Sequence, residues 1–125
     1  MSYGFKNDKS KCVLSNWEHV TDLTDNGRLD IDSDSDYLFI FTYKYVSSGK
    51  YRIAGTMTLP YDFIQSLPAP FATDYYGAFI ETFVSGSDKI IFNPSFAKDR
   101  VGLDMYQTNT NATDYKMSVY SRKVQ

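Results

Sequence analysis

The stretch Tyr37-Leu-Phe-Ile-Phe-Thr-Tyr-Lys-Tyr45, followed by Val46-Ser-Ser-Gly-Lys50 and then Tyr51-Arg-Ile-Ala-Gly-Thr-Met-Thr-Leu59, decides the fold. Tyr37, Phe39, Phe41, Tyr43 and Tyr45 recur at every second position, so they share one face of a pleated strand, a surface that suits aromatic side chains. A helix would scatter them around its axis. Reading Ser47-Ser48-Gly49 as a three-residue loop puts Gly49 at the left-handed position of a type I turn with a bulge, which glycine adopts at least steric cost. That loop pairs Tyr45 with Tyr51, Tyr43 with Ile53, Phe41 with Gly55, Phe39 with Met57 and Tyr37 with Leu59, and every apolar partner falls on the same face. On the other face Leu38 and Ile40 oppose Thr58 and Thr56. Nearer the turn Lys44 opposes Arg52, a like-charged pair read as solvated, with a bound anion as the alternative.

Working outward, the chain of 125 residues is long enough for one domain, 1–125, with its own core. A net charge of -2 supplies no basic face for sequence-independent nucleic-acid binding. Cys12 is the only cysteine, so no internal disulfide can form. The opening Met1–Lys11 lacks the apolar run of a signal peptide and no stretch is long enough to span a bilayer, so the expectation is synthesis in the cytoplasm without membrane attachment. Residues 1–11 read as a flexible arm.

Val13, Leu14, Trp17, Val20 and Leu23 fit a short helix or a short strand, and the strand is preferred because the remainder is β. Asp25-Asn26-Gly27 marks a turn. Asp30, Asp32, Asp34 and Asp36 resemble the start of a calcium loop, but the sixth position is Ser35 rather than Gly and the twelfth is Phe41 rather than Glu. Pro60 and Pro68 bound a segment, with one helical turn near 61–67, that caps the core through Phe63, Ile64 and Leu67 before crossing between sheets. Tyr75–Val84 and Lys89–Asn93 read as a hairpin about Ser85–Asp88, with Glu81 outward or salt-bridged. Val101–Met105 alternates as a strand, Gln107–Asp114 is a polar loop, and Tyr115–Tyr120 alternates again. The sum is an all-β, antiparallel β-sandwich or small jelly roll of about 6–8 strands.

Catalytic chemistry finds little purchase. A hydrolase triad needs a histidine base, and His19 is the only histidine, without a nucleophile motif. One His and one Cys cannot build a structural zinc site, and phosphate loops and dinucleotide fingerprints are missing. No enzyme activity, cofactor or metal is therefore expected. A facing pair of carboxylates could still hide among 15 acidic residues, which keeps a small glycan-active enzyme as a third reading.

The opening MSYGFKNDKSK, the aromatic strand ending in Gly55-Thr-Met-Thr-Leu-Pro60, the Pro60-Tyr-Asp-Phe63 segment and the closing Ser118-Val-Tyr-Ser-Arg-Lys123 resemble small β-sandwich accessory proteins of bacteriophages and prophages. Tail-tip, fibre-tip and head-decoration proteins are the members meant. The resemblance implies a non-enzymatic virion protein, often trimeric, that binds a host-surface glycan or another virion subunit. Eleven tyrosines against one tryptophan suit that role, because tyrosine offers contact area with a polar tip. The residues expected to bind are Tyr75, Tyr76, Asp104 and Tyr106, for each of which core packing is the competing explanation. The alternative is an intracellular inhibitor that presents Asp30, Asp32, Asp34 and Asp36 to the basic groove of a nucleic-acid enzyme.

Overall fold

A computed structural model describes residues 16–31 and 34–124. The proposed arm at 1–11, Cys12 and Asp32 lie outside the described residues. Nine strands are described: β1 (Glu18–Leu23), β2 (Gly27–Asp30), β3 (Ser35–Tyr45), β4 (Tyr51–Leu59), β5 (Tyr76–Gly77), β6 (Ile80–Ser85), β7 (Asp88–Phe96), β8 (Arg100–Gln107) and β9 (Ala112–Lys123). One short helix, α1 (Tyr61–Gln65), follows β4. The strands form two antiparallel sheets, one in the order β1-β9-β3-β4 and the other in the order β2-β8-β7-β5, with β6 also pairing with β7. The expected all-β sandwich is the architecture found. No described helix is long and apolar enough to cross a membrane.

Alternation in β3 makes the core. Tyr37, Phe39, Phe41 and Tyr43 are buried, while Leu38, Ile40 and Thr42 between them are half-buried on the outer face. From the opposite sheet Ile90, Phe92, Phe96, Val101 and Leu103 meet them, and Met117 and Val119 complete the first sheet's inner face. Phe39 packs against Phe96 with ring centroids 5.2 Å apart, and Phe41 meets Phe92 edge-on at 5.5 Å. Ile64 and Leu67 join this core, as their spacing implied, but Phe63 stays exposed.

The central hairpin keeps the expected pairs from Tyr37–Leu59 to Phe41–Gly55, and Gly49 has the expected left-handed φ of 70°. Beyond Gly55 the register differs. Ala54 is an extra residue on β4, so Thr42 faces Ile53, Tyr43 faces Arg52 and Lys44 faces Tyr51. The loop is accordingly four residues, Val46–Gly49, closed by Tyr45 N–H donating to Lys50 O (2.9 Å) and Gly49 N–H donating to Tyr45 O (2.9 Å). The bulge turns Tyr51 and Ile53 to the outer face, where both are exposed, and Lys44 never opposes Arg52.

Other boundaries shift for physical reasons. β7 runs through Pro94, beyond the expected end at Asn93. Pro94 C=O accepts from Ala78 N–H (3.1 Å), and the N–H and C=O of a strand residue point to the same neighbour. The missing donor of Pro94 therefore faces the gap between β5 and β6, which costs the sheet no bond. The polar loop expected over Gln107–Asp114 shrinks to residues 108–111, because β9 begins at Ala112 and absorbs an extra residue beside Asp114, whose φ is 56°. The ambiguous segment before the first turn is a strand over Glu18–Leu23.

Gly49→Val forces a β-branched residue to positive φ and is expected to cost about 1–3 kcal/mol. Urea unfolding compared with the parent chain measures this, and an unchanged midpoint would refute the left-handed turn.

Candidate binding face

The outer face of the second sheet carries the densest exposed aromatic surface among the described residues. Its geometry follows from register. Gly77 pairs with Ser95, Ser95 with Gly102, and Gly102 with Arg28, so a row of minimal side chains crosses the sheet and ends under an arginine. Arg28 lies directly over Gly102: a Cβ there would stand 2.7 Å from Arg28 Cδ and 2.9 Å from Nη1. Thus held, Arg28 Nη1 donates to Gly27 O (2.8 Å) and Leu103 O (3.3 Å), and Nη2 donates to the Asp104 carboxylate at 3.4 Å. Its guanidinium sits 5.5 Å from the centroid of Phe71, which stacks on Tyr75 at 5.1 Å. Phe71 is fixed in turn by its N–H donating to Asp99 Oδ1 (3.0 Å).

Tyr106 is the extra residue of a bulge in β8, where Phe92 pairs with Met105 but Ile91 already pairs with Gln107. The bulge frees its ring, 69% exposed, to meet Phe79, 64% exposed, edge-on at 5.5 Å. Phe83 lies on the same face two positions beyond Glu81, and Glu81 forms the expected ion pair, 3.6 Å from Lys89 Nζ. Ile91, the outward residue of β7 in this region, is nevertheless buried, so neighbouring side chains of β6 and β8 roof it.

Among the residues expected to bind, the structure joins Asp104 and Tyr75 to the stack built on Arg28, and sets Tyr106 two residues further along β8. Tyr76 does not join them. It pairs with Phe96, whose ring is in the core, and so occupies the sandwich edge on the other side of the sheet. Phe79 and Phe83 escaped the sequence reading, although Glu81 pointed to them: an outward Glu81 puts residues 79 and 83 on the same face at period two.

The described members of the acidic stretch are dispersed, and each faces a cation. Asp30 in β2 pairs with Arg100 (2.8 Å), Asp34 with Lys123 (3.1 Å) and Asp36 with Arg122 (3.1 Å). Asp36 also accepts from Tyr61 N–H (2.7 Å), and Arg122 is stacked 4.4 Å over Trp17. The hydrogen bond from Lys123 holds the Asp34 carboxyl below its ordinary value. Among the described residues no three of His, Cys, Asp and Glu gather as metal ligands.

The outer face of the first sheet has a depression of about 280 Å³ lined by Ile40, Thr42, Tyr51, Lys116, Ser118 and Tyr120. Thr42 Oγ1 is buried at this site without a hydrogen-bond partner among the described residues. Nearby, His19 Nε2 lies 2.8 Å from Asp22 Oδ1, with its ring edge-on to Tyr120 at 5.3 Å. Ser118 also hydrogen-bonds to Asp22, so the carboxylate sits between the imidazole and the hydroxyl. That bond from His19, aided by Ser118, holds the Asp22 carboxyl below its ordinary value. No protein-family model, curated protein or solved structure matches the chain.

Two outcomes are expected. Gly102→Ala should push the Arg28 side chain off the sheet, since a Cβ would stand 2.7 Å from its Cδ, and should cost less than about 1 kcal/mol because the part displaced is the flexible end of an exposed side chain. A crystal structure of the variant with Arg28 in its parent position would mean that the close approach is not there. A depressed carboxyl stabilises the fold above its ordinary pKa, near 3.8, and loses that contribution as pH falls through the lower folded value. Asp22→Asn should therefore lose less stability than the parent chain between about pH 5 and pH 2. Identical acid profiles would argue against the His19–Asp22 bond.

Proposed function

We propose that this chain is a non-catalytic binding module, a virion accessory domain of the phage type, which uses the outer face of its second sheet to dock on another protein subunit. One observation carries the reading: Phe79, Phe83 and Tyr106 stand exposed together on a rigid sheet, flanked by the Tyr75–Phe71–Arg28 stack. Soluble monomers rarely leave such aromatic surface to water, and aromatic and arginine side chains are those that anchor protein interfaces.

A protein partner is favoured over a host-surface glycan because two of the three most exposed rings are phenylalanines. They lack the polar tip that would follow a sugar's hydroxyls, and Phe79 meets Tyr106 edge-on, so the two rings do not form a flat stacking platform. The subunit bound can be a further copy of this chain, in keeping with the trimers that the phage resemblance implies. The inhibitor reading has less to stand on, since Asp30, Asp34 and Asp36 each already hold a cation.

Sedimentation velocity tests the self-association arm. The parent chain should sediment as an oligomer, and the Phe79→Asp, Phe83→Asp double variant as a folded monomer. A parent chain that stays monomeric and binds sugars on a glycan array would reverse the choice of partner, and an oligomer unaffected by the double variant would remove this face from the interface.

A further inference from the structure

Three loops converge at the end of the sandwich away from the Phe71 stack. Val46 N–H donates to Asn111 O (3.0 Å), Asn111 Nδ2 donates to Ser85 Oγ (3.4 Å), and Tyr45 Oη donates to Val84 O (2.8 Å), tying the β3–β4, β8–β9 and β6–β7 connections together. Beside these ties lies a hollow of about 430 Å³ lined by Tyr45, Ser47, Ser48, Lys50, Arg52 and Val84.

The chemistry of this lining is one-sided. Arg28, Lys89, Arg100, Arg122 and Lys123 each face a carboxylate. Lys50 and Arg52 face none within ion-pair distance among the described residues. The Ala54 bulge creates the arrangement, because it brings Arg52 opposite Tyr43 and onto the inner face beside the hairpin's turn. There the guanidinium lies 4.7 Å from the Tyr45 ring centroid, a contact that restrains its plane and leaves its N–H edge for an acceptor. Ser48 Oγ accepts from Lys50 N–H (3.3 Å), so its own hydrogen is left to donate. Ser47 adds a second hydroxyl.

Two cations and two hydroxyl donors around one small hollow match a tetrahedral oxyanion. A phosphodiester polymer would call for a row of cations along a groove, whereas only two meet here. We propose that this hollow binds a single phosphate or sulfate monoester group, at a site separate from the aromatic face.

The test is titration of the ¹⁵N-labelled full chain, followed by amide NMR, with glucose 6-phosphate, glucose 6-sulfate and glucose, all at sodium chloride-matched ionic strength. One or both esters should shift amides of residues 47–52 and 84–86 saturably, and glucose should not. The ester that acts identifies phosphate or sulfate as the group recognised. Arg52→Gln with Lys50→Gln should weaken binding at least about tenfold, the loss expected for removing charge-assisted hydrogen bonds. Phe79→Asp should leave the response unchanged, so failure of the docking face and failure of this site read out separately. The proposal is overturned if the esters shift nothing beyond glucose, if the shifts map elsewhere, or if the double variant binds as well as the parent chain.

Discussion

The interlock of Phe39 with Phe96 and Phe41 with Phe92 is the contact on which the rest depends, because these four rings bring the two sheets together within the shared core. Each ring is almost wholly buried, and each pair adds aromatic contact of about 0.5–1.5 kcal/mol to the apolar area it removes from water. The interlock also sets spacing at the sheet edge. Opposite Phe41, a Cβ on Gly55 would lie 3.2 Å from Ile80 Cγ2, so β4 and β6 approach closely on that flank. With the sheets fixed in this way, residues facing outward are held rigidly and can act as recognition groups.

Much of this frame is legible in the amino-acid sequence. From Tyr37 to Gly55 the two faces of the hairpin differ in polarity, and a one-residue slip would drive aromatic residues into water. Past Gly55 the alternation of Tyr51 and Ile53 with Arg52 argues for the two apolar side chains inside, whereas in the structure they face outward and are exposed. An extra residue at Ala54 is therefore invisible there, along with its effect on Arg52. The same limit hides the bulges at Tyr106 and Val84, since a bulge inverts the period-two pattern on which strand reading relies.

The binding face is half legible for a related reason. Tyr75, Asp104 and Tyr106 carry polar atoms, which mark them as candidates for solvent. Phe79 and Phe83 carry none, and in isolation read as core. Hydrophobicity states a cost of exposure without saying whether a chain accepts it, and only the relation to Glu81 assigns the two rings to the outside. Arg28 is out of reach altogether, because its position depends on Gly102, far along the chain and adjacent only through the β2–β8 pairing.

Charge follows the same geometry. Exposed ion pairs such as Asp30–Arg100 and Asp34–Lys123 contribute little stability, because water screens them and holding two long side chains together costs entropy. Their larger effect is on the field around the molecule: where acid and base are matched, the potential cancels within a few ångströms and water screens the remainder. At the hairpin end no such matching is present for Lys50 and Arg52 among the described residues, and the low-dielectric wall formed by Tyr45 and Val84 focuses what remains. A chain with net charge -2 can thus still present a local positive potential, because the sign at a site is set by which residues the fold leaves facing one another and hardly by the total.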